Sequence, residues 1–300
     1  MGIKSVAVLS PGEMGSAVGR VFRDGGLNVM TCLAGRSDRT KALSREAGLR
    51  EVETLQEVVT QADLVLSILA PAQALGVASS VAGALRANGG QAATFADCNA
   101  VSPQTAVAMS EAIESAGGSF IDVSIIGGPP RGGRGPRFYV SGRDVTAMSE
   151  LDGLGIEVRH IGEAVGRASG IKMCYGGLTK GTSALQLAFL AAAEAMDLSE
   201  PLRQELRSSQ AEAYERMERS LPSVPSKAFR WIGEMEEVAA TFESLGLTPR
   251  IHEGAADLYR ALSETPMADV PPERIEPGRT LTQTVEELAE AIKTSAQSRS

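Results

Sequence analysis

The chain has 300 residues, of which 43% are hydrophobic and 22% are charged, as is ordinary for a soluble globular protein with room for two domains. Its formal net charge of −8 argues against a general nucleic-acid-binding protein, because binding phosphates requires a basic surface. The sequence has no apolar run long enough for a membrane span and no signal-peptide pattern at its start. Its three cysteines and two histidines have no metal-binding spacing. We expect a cytoplasmic protein with a small-molecule substrate and no metal, nucleic-acid or membrane partner.

Short apolar segments alternate with amphipathic segments through the first half of the chain. Strands are predicted at residues 4–10, 28–33, 63–69, 91–97, 119–126, 137–141 and 156–161. Helices are predicted between them at residues 13–24, 71–87 and 103–116. Strands that alternate with helices pair in parallel, so this order predicts an α/β Rossmann-type domain, with helices on both faces of a parallel sheet.

The character of the sequence changes after residue 162, where strand patterns stop and prolines mark the breaks between helical segments. Helices are predicted at residues 164–196, 201–220, 226–245, 254–262 and 282–294. We therefore expect an α/β domain, residues 1–162, followed by an all-α domain, residues 163–300.

The first predicted strand ends in the turn SPGEMG, residues 10–15, an imperfect G-x-G-x-x-G pattern with Ser10 in the first glycine position. Gly12 would let the backbone approach a pyrophosphate, and Gly15 would let the following helix pack close to the strand. The phosphates would meet N–H groups at the helix N-terminus, so Glu13 and Met14 also belong to the predicted cofactor site. The alternative is an ordinary tight turn, but the surrounding strands and helix favour a dinucleotide site.

The residues after the second strand indicate which dinucleotide is bound. NAD-binding proteins usually carry an acidic residue here, which binds the ribose 2′-hydroxyl. This chain instead has Arg36 and Ser37, whose guanidinium and hydroxyl groups suit a 2′-phosphate. We predict NADP(H) as the cofactor, and we include Leu69 and Ala70, at the end of the third strand, among its binding residues. The alternative for Arg36 is a solvated basic loop.

Four further motifs, in their order along the chain, resemble the 3-hydroxyacid dehydrogenase family, which is related to 6-phosphogluconate dehydrogenase. The segment DCNAVSP, residues 97–103, is similar to that family's loop near the nicotinamide, which implies a cofactor contact for Asn99. The segment DVSIIGG, residues 122–128, resembles the family's substrate loop D-A-P-V-S-G-G. The resemblance implies substrate contacts for Ser124, Ile126, Gly127 and Gly128.

The other two motifs lie in the second half. The segment GRASGIK, residues 166–172, resembles the stretch that ends in the family's catalytic lysine, which implies that role for Lys172. The segment RWIGEMEE, residues 230–237, resembles the helical C-terminal domain of a branch often called phosphogluconate dehydrogenase-like. Where the family has serine before the paired glycines and asparagine four residues after the lysine, this chain has Ile126 and Gly176. Both positions normally contact substrate, so we place Gly176 in the substrate site and expect a less polar or bulkier substrate.

Helical geometry supports Lys172 independently of that resemblance. At 100° per residue, Gly176 lies about 40° from Lys172 and Thr179 about 20° away, so a narrow stripe of small or polar residues forms, with Thr179 also in the predicted substrate site. A lysine beside a cleft can have its pKa lowered by desolvation and can exchange a proton with a substrate hydroxyl. Lys180 lies about 80° off this stripe and ranks second. The alternative for Lys172 is an exposed helical lysine.

Side chains outside these motifs receive more ordinary interpretations. Trp231 and Met235 stand one helical turn apart and are predicted to pack in the helical core. Glu234, Glu236 and Glu237 could reach substrate across a dimer, but they are predicted to lie on a solvated, charged helix face. Arg131, Arg134 and Arg137, in the loop after the substrate motif, could hold a substrate carboxylate or phosphate, but the simpler interpretation is that at least two of them are solvated loop side chains.

Together these features predict an NADP(H)-dependent oxidoreductase that transfers a hydride between nicotinamide and a hydroxy acid or its keto form, with Lys172 as general acid and base. The first domain would bind NADP(H), and the second would bind substrate and form a homodimer. Two alternatives stay open: an imine reductase on the same scaffold, and a non-catalytic dinucleotide-binding protein. Lys172 favours alcohol chemistry over imine reduction and, together with Asn99, argues against a loss of turnover.

Overall fold

The structure, a computed structural model, describes residues 2–89, 93–133, 135–270 and 278–297. The start of the strand predicted at 91–97 and the loop residue Arg134 lie outside these ranges. Contacts divide the chain into two compact units, Met1–Met173 and Cys174–Ser300. The sequence placed the boundary at 162, before a long helix begins, whereas the units divide within that helix.

The first unit is built on an eight-stranded sheet with the order β3-β2-β1-β4-β5-β6-β7-β8. Its strands are β1 Ser5–Leu9, β2 Asn28–Cys32, β3 Arg50–Val52, β4 Leu64–Ser67, β5 Thr94–Asp97, β6 Ser119–Ile126, β7 Arg137–Ser141 and β8 Glu157–His160. The first six strands pair in parallel, as the alternation of strands and helices predicted. The all-parallel expectation is wrong at β7, which runs antiparallel to β6. The short loop between these two strands carries no crossover helix, and parallel pairing would need one.

Helices cover both faces of this sheet, which confirms the α/β class. They are α1 Glu13–Asp24, α2 Asp38–Ala47, α3 Leu55–Gln61, α4 Ala74–Ala87, α5 Pro103–Glu114 and α6 Thr146–Ser149. The alternating side chains of β1 divide the core: Ala7 and Leu9 pack with α3, α4 and α5. Val6 and Val8 join the other core, which includes residues of α1, α2 and α6. Period-two alternation thus gives β1 two buried faces.

The sequence prediction passed over α2, β3 and α3. The reason for β3 is physical: it has three residues, and two of them, Arg50 and Glu51, are exposed. Helix α2 buries only Ser44 and Ala47, so its apolar stripe is too narrow to produce a clear helical period. Such edge elements are positioned by pairing and packing rather than by their own hydrophobic pattern.

The second unit is helical throughout its described residues, as predicted. Its helices are α7 Arg167–Ala195, which begins in the first unit, and then α8 Ser199–Ser209, α9 Ala211–Ser220, α10 Pro225–Ser244, α11 Arg250–Ser263 and α12 Leu281–Gln297. The single helix predicted at 201–220 is wrong, because Gln210 leaves the helical region with φ −139° and ψ 43°. No glycine or proline marks this break, so the sequence gives no local signal for it. In the described part of the chain, no helix combines the length and apolarity needed to cross a membrane.

Candidate cofactor and acid–base site

The carboxyl ends of β1, β2, β4, β5 and β6 meet along one edge of the sheet, because these strands are parallel. Chain order reverses between β1 and β4, since β2 follows β1 on one side and β4 lies on the other. In open α/β sheets the crevice at such a reversal is where ligands bind. The turn after β1 and the loop after β4 both lie there.

The turn after β1 keeps the backbone of a glycine-rich phosphate loop despite its serine. Ser10 has φ 54°, the left-handed conformation that favours glycine, so this serine is strained where the pattern calls for glycine. A Cβ added at Gly15 would lie 3.2 Å from Cγ1 of Val8, so helix α1 packs close to β1 as predicted. A Cβ added at Gly12 would meet only the carbonyl oxygen of Ser10, 4.0 Å away, which leaves open space for a ligand. The glycines fit the pyrophosphate of a dinucleotide.

The N-terminus of α1 is also suited to an anion. No side chain caps this helix at Gly12, so its first N–H groups and the positive end of its dipole face the turn. Glu13 places a carboxylate in that first turn, where it would repel phosphate. Arg131 lies 3.4 Å from Glu13 and offsets that charge. The loop arginine therefore pairs with the cofactor turn, a contact that its position in the sequence did not predict.

The loop after β2 carries a cation, Arg36, at the position predicted to bind the ribose. Half-buried Arg36 lies with Nη1 3.4 Å from Oε1 of Gln73, a residue that follows β4. The exposed Ser37 has a structural role as the N-cap of α2: its Oγ accepts from the Thr40 N–H at 3.3 Å. Its hydroxyl is therefore shared with the helix end. Both residues remain predicted ligands of a 2′-phosphate.

Asn99 braces the loops that follow β4 and β5. Its Oδ1 accepts from the backbone N–H of Leu69 at 2.7 Å, and its Nδ2 donates to Ser67 Oγ at 2.9 Å and to Asp97 Oδ1 at 2.5 Å. Both amide hydrogens are thus used within the protein. Asn99 is buried, whereas Leu69 and Ala70 are half-buried at the strand end. Asn99 positions the backbone of the predicted cofactor site.

Asp97 is a fully buried carboxyl group at the end of β5. Burial raises its pKa to about 7, the nearby charge of Asp122 adds to the rise, and hydrogen bonds from Asn99 and Ser67 oppose it. The next residue, Cys98, packs in the core, and burial raises the pKa of its thiol well above its usual value. Cys98 is therefore a packing residue with an unreactive thiol.

Lys172 lies in the first unit and is tied to the substrate-loop strand. Its Nζ donates to the backbone carbonyl of Ile125 on β6 at 2.8 Å, and the side chain is half-buried. This arrangement is inconsistent with the exposed helical lysine that was its alternative interpretation. The ammonium is held at the carboxyl end of a sheet strand, beside the loop that the sequence assigned to substrate.

The substrate motif itself divides into buried side chains and exposed backbone. Ser124 and Ile126 are 0% and 4% exposed, so these two predicted substrate contacts lie inside the protein. Gly127 and Gly128 are exposed, and nothing lies within 4 Å of a Cβ added at Gly128. Gly127 has φ 126°, which few other residues adopt. Any contact of this motif with a ligand therefore falls to the two glycines in this structure.

The second unit contains a buried ion pair that the sequence analysis missed. Lys180 and Glu234 form a salt bridge, and their side chains are only 16% and 8% exposed. The ammonium also lies 5.5 Å from the centre of the Trp231 ring. That ring packs against Tyr259, whose hydroxyl donates to the Lys180 carbonyl at 2.6 Å. The prediction of a solvated face for Glu234 is wrong, because helix α10 turns this carboxylate inward.

This ion pair lies close to the glycine at position 176. A Cβ added to Gly176 would lie 2.9 Å from Oε1 of Glu234, closer than such contacts occur. Thr179 is exposed and its hydroxyl donates to the Tyr175 carbonyl at 2.8 Å. Met235 is fully buried and Trp231 packs on Tyr259, so the predicted core role of both is confirmed. The residues that the sequence placed on one stripe thus have different local partners.

Some buried charged residues can be recognised from the sequence, and others cannot. Carboxyl groups inside otherwise apolar strands, such as Asp97 and Asp122, are anomalous enough to indicate a special role. The Lys180–Glu234 pair joins positions far apart in the chain, and charged residues on amphipathic helices usually face solvent. This ion pair can be recognised only from the way the helices pack in the structure. Among the described residues, no group of histidine, cysteine and acidic side chains is arranged to hold a metal ion.

Two known families match separate parts of the chain. Residues 5–152 match the NAD binding domain of 6-phosphogluconate dehydrogenase. Residues 193–262 match a domain of unknown function, DUF1932. The first match covers the sheet and its glycine turn, and the second covers helices of the second unit.

Individual relatives are consistent with these two family matches. An uncharacterised 28.5 kDa protein from Methanothermus fervidus is 28% identical over 203 residues, which is 68% of this chain and 76% of that protein. A conserved protein of unknown function, described as structurally similar to 3-hydroxyacid dehydrogenases, is 29% identical with a TM-score of 0.63, covering 86% of this chain and 97% of its own. The 3-hydroxyisobutyrate dehydrogenase of Mycobacterium tuberculosis shares the fold with a TM-score of 0.65 at 16% identity, over 95% and 99% of the two chains.

Imine reductases are also among the structural neighbours; that of Bacillus cereus has a TM-score of 0.52 at 19% identity, over 94% and 98% of the two chains. Likeness at this level of identity establishes a common fold and leaves the reaction open. Residues 5–152 are thus similar to the NAD binding domain of 6-phosphogluconate dehydrogenase and residues 193–262 to DUF1932, and the fold is one shared by 3-hydroxyacid dehydrogenases and imine reductases.

Proposed function

We propose that this protein is an NADP(H)-dependent oxidoreductase that transfers a hydride between the nicotinamide and a hydroxy acid or its keto form. The observation that carries the proposal is the hydrogen bond from Lys172 Nζ to the Ile125 carbonyl on β6. This bond holds an amine at the same edge of the sheet as the glycine turn after β1. An acid–base group and a dinucleotide site at one edge are what alcohol oxidation and carbonyl reduction require.

Preference for NADP(H) is supported by the charges around the two turns. Arg36 occupies the loop after β2, where NAD-dependent proteins place a carboxylate, and Ser37 follows it. A guanidinium can bind a 2′-phosphate through two parallel hydrogen bonds, whereas a carboxylate would repel it. Gly12, Gly15 and the uncapped start of α1 suit the pyrophosphate.

The proposed reaction divides between the cofactor and Lys172. NADP supplies the hydride acceptor, and NADPH the hydride donor. In the oxidative direction Lys172, in its neutral form, would take the hydroxyl proton of the substrate, and bound NADP would accept the hydride from the same carbon. During reduction the ammonium returns that proton to the carbonyl oxygen. The Ile125 carbonyl orients Nζ, and Gly127 and Gly128 offer exposed backbone beside it.

Lys172→Ala tests this role. Its kcat on the best substrate from a panel of keto acids and imines should fall by about 10²-fold or more, the usual contribution of a positioned acid–base group. NADPH affinity should hardly change, because Lys172 serves the substrate. Near-native turnover by Lys172→Ala would contradict the mechanism. Turnover with imines alone would favour imine reduction, and NADPH binding without turnover on either panel would favour a non-catalytic binding protein.

We also propose that the protein forms a homodimer through its second unit. Leu178, Leu185 and Ile251 are 70%, 56% and 67% exposed, and they line a largely apolar groove of about 660 Å³. Apolar surface of this kind is stabilised when a partner covers it. Light scattering at micromolar concentration should give twice the 31.3 kDa mass of one chain. A mass of 31.3 kDa would contradict the dimer.

A further inference from the structure

Asp122, on β6, is the centre of a buried hydrogen-bond network at the start of α7. Its Oδ2 accepts from the backbone N–H groups of Gly166 and Ser169 at 2.8 and 3.1 Å. Its Oδ1 accepts from Ser169 Oγ at 2.7 Å. Ser141 lies opposite Asp122 on the neighbouring strand β7. Its hydroxyl donates to Oδ2 at 3.0 Å and accepts from the Ala168 N–H at 3.0 Å. The first N–H groups of α7, which have no partner within the helix, are therefore satisfied from the sheet.

The same turn of α7 is fixed by close packing on its other side. Gly166 has φ 96°, and a Cβ added there would lie 3.1 Å from Cβ of Pro103, the first residue of α5. Asp122, Ser141 and Ser169 are all 0% exposed, so water does not compete for these hydrogen bonds. The start of α7 is thus held between β6 and the N-terminus of α5.

Strand β6 contacts this helix a second time, at Lys172. Ser169 and Lys172 stand one turn apart on α7, while Asp122 and Ile125 stand three residues apart on β6. One strand therefore fixes the beginning of the helix through a side chain and receives the lysine through a backbone carbonyl. A rotation or shift of the first turn would displace the backbone of Lys172 relative to that carbonyl.

We propose that Asp122 is a positioning residue: acting through Ser169 and Ser141, it fixes the first turn of α7 and thereby holds Lys172 Nζ at the Ile125 carbonyl. The proposal rests on the proposed function, because it assigns a purpose to the placement of Lys172. Asp122 itself does not touch the reacting atoms. Displacement of a reacting group by about 1 Å can lower a rate by as much as 10²-fold, so such a clamp would matter to turnover.

Ser169→Ala is the most informative change, because it removes one hydrogen bond and leaves the backbone contacts of Asp122 in place. We expect kcat per folded molecule to fall by about tenfold, with unchanged NADPH affinity. Asp122→Asn can still accept from both N–H groups and donate to Ser169 Oγ, so it should retain kcat within about threefold. Ser110→Ala is the matched control, since it removes another serine–carboxyl hydrogen bond, to Glu114, and should leave kcat unchanged.

A double-mutant cycle separates positioning from simple stabilisation. If Ser169 acts through Lys172, Ser169→Ala should lower kcat by less than about twofold in a Lys172→Ala background. An undiminished tenfold loss in that background would overturn the proposal. If the Lys172→Ala single variant retained turnover, the proposed function would be wrong. The first measurement of the cycle would show this, before Ser169 is tested.

A second readout does not depend on activity. Competitive labelling with acetic anhydride, followed by peptide mass spectrometry, measures the reactivity of Lys172 relative to exposed Lys4 in the same sample. Loosening of the first turn in Ser169→Ala should raise this ratio by about threefold or more, because the turn then opens more often. An unchanged ratio would overturn the clamp whatever the enzyme's reaction, and Ser110→Ala should leave the ratio at the wild-type value.

Discussion

The two units each bury a carboxyl group, and they satisfy it in opposite ways. In the first unit Asp122 is surrounded by neutral donors, which are backbone N–H groups at a helix start and the hydroxyls of Ser141 and Ser169. In the second unit Glu234 is paired with the ammonium of Lys180, which also faces Trp231. Hydrogen bonds from neutral donors fix the position of the donor groups around the carboxylate. An ion pair mainly requires that both charges remain together.

This difference suggests different consequences when each group is disturbed. Loss of one serine hydroxyl leaves Asp122 with other donors, so the expected damage is to placement. Loss of either member of the ion pair leaves an uncompensated charge in the interior of the second unit, so the expected damage is to stability. The two carboxyl groups can therefore be distinguished by comparing turnover with the free energy of unfolding.

The largest effect is expected at Glu234. Glu234→Ala should lower the free energy of unfolding by about 3–5 kcal/mol, because Lys180 is left buried without its partner. Urea denaturation measures this directly. Glu236→Ala is the matched control on the same helix: its partner Arg260 and its own side chain are about half exposed, so the loss should stay below about 1 kcal/mol. Equal losses in the two variants would contradict the buried pair.

Asp97 gives a smaller, pH-dependent effect in the first unit. Burial raises its pKa from 3.8 to about 7, so the folded protein holds a proton that the unfolded chain has released. Stability from this group is full below pH 3.8 and is lost as pH rises towards 7. The free energy of unfolding should fall between pH 5 and pH 8 by an amount on the order of 2 kcal/mol. Asp97→Asn should flatten this dependence, and an unchanged slope in that variant would contradict the assignment.

The same contrast explains how much could be predicted from the sequence. Features within one short segment can be recognised from the sequence, although the roles assigned to them stay predictions: the glycine turn, the unusual Arg36 after β2, and Lys172 after its glycine-rich approach. Their physical requirements are local, since a tight turn, a charge or a helix start is written in neighbouring residues. The α/β and all-α division followed from periodicity in the same way.

Features created by packing were not found. Glu234 was assigned to solvent because nothing near it in the chain indicates Lys180, and the sequence did not predict that Ser124 and Ile126 are buried on β6. The break at Gln210 lacks a glycine or proline, and the antiparallel turn into β7 depends on the loop being too short for a crossover. In each case the deciding partner is distant in sequence.

The central claim, that the first unit binds NADP(H) through its cation-bearing loop, is tested most directly by calorimetric titration of the protein with NADPH and with NADH. NADPH should bind at least about tenfold more tightly, a difference of about 1.4 kcal/mol. Arg36→Ala should remove most of that preference by weakening NADPH alone. Arg45→Ala, which removes an exposed charge from α2, should preserve it. Equal affinities of the wild-type protein for the two dinucleotides would contradict the account.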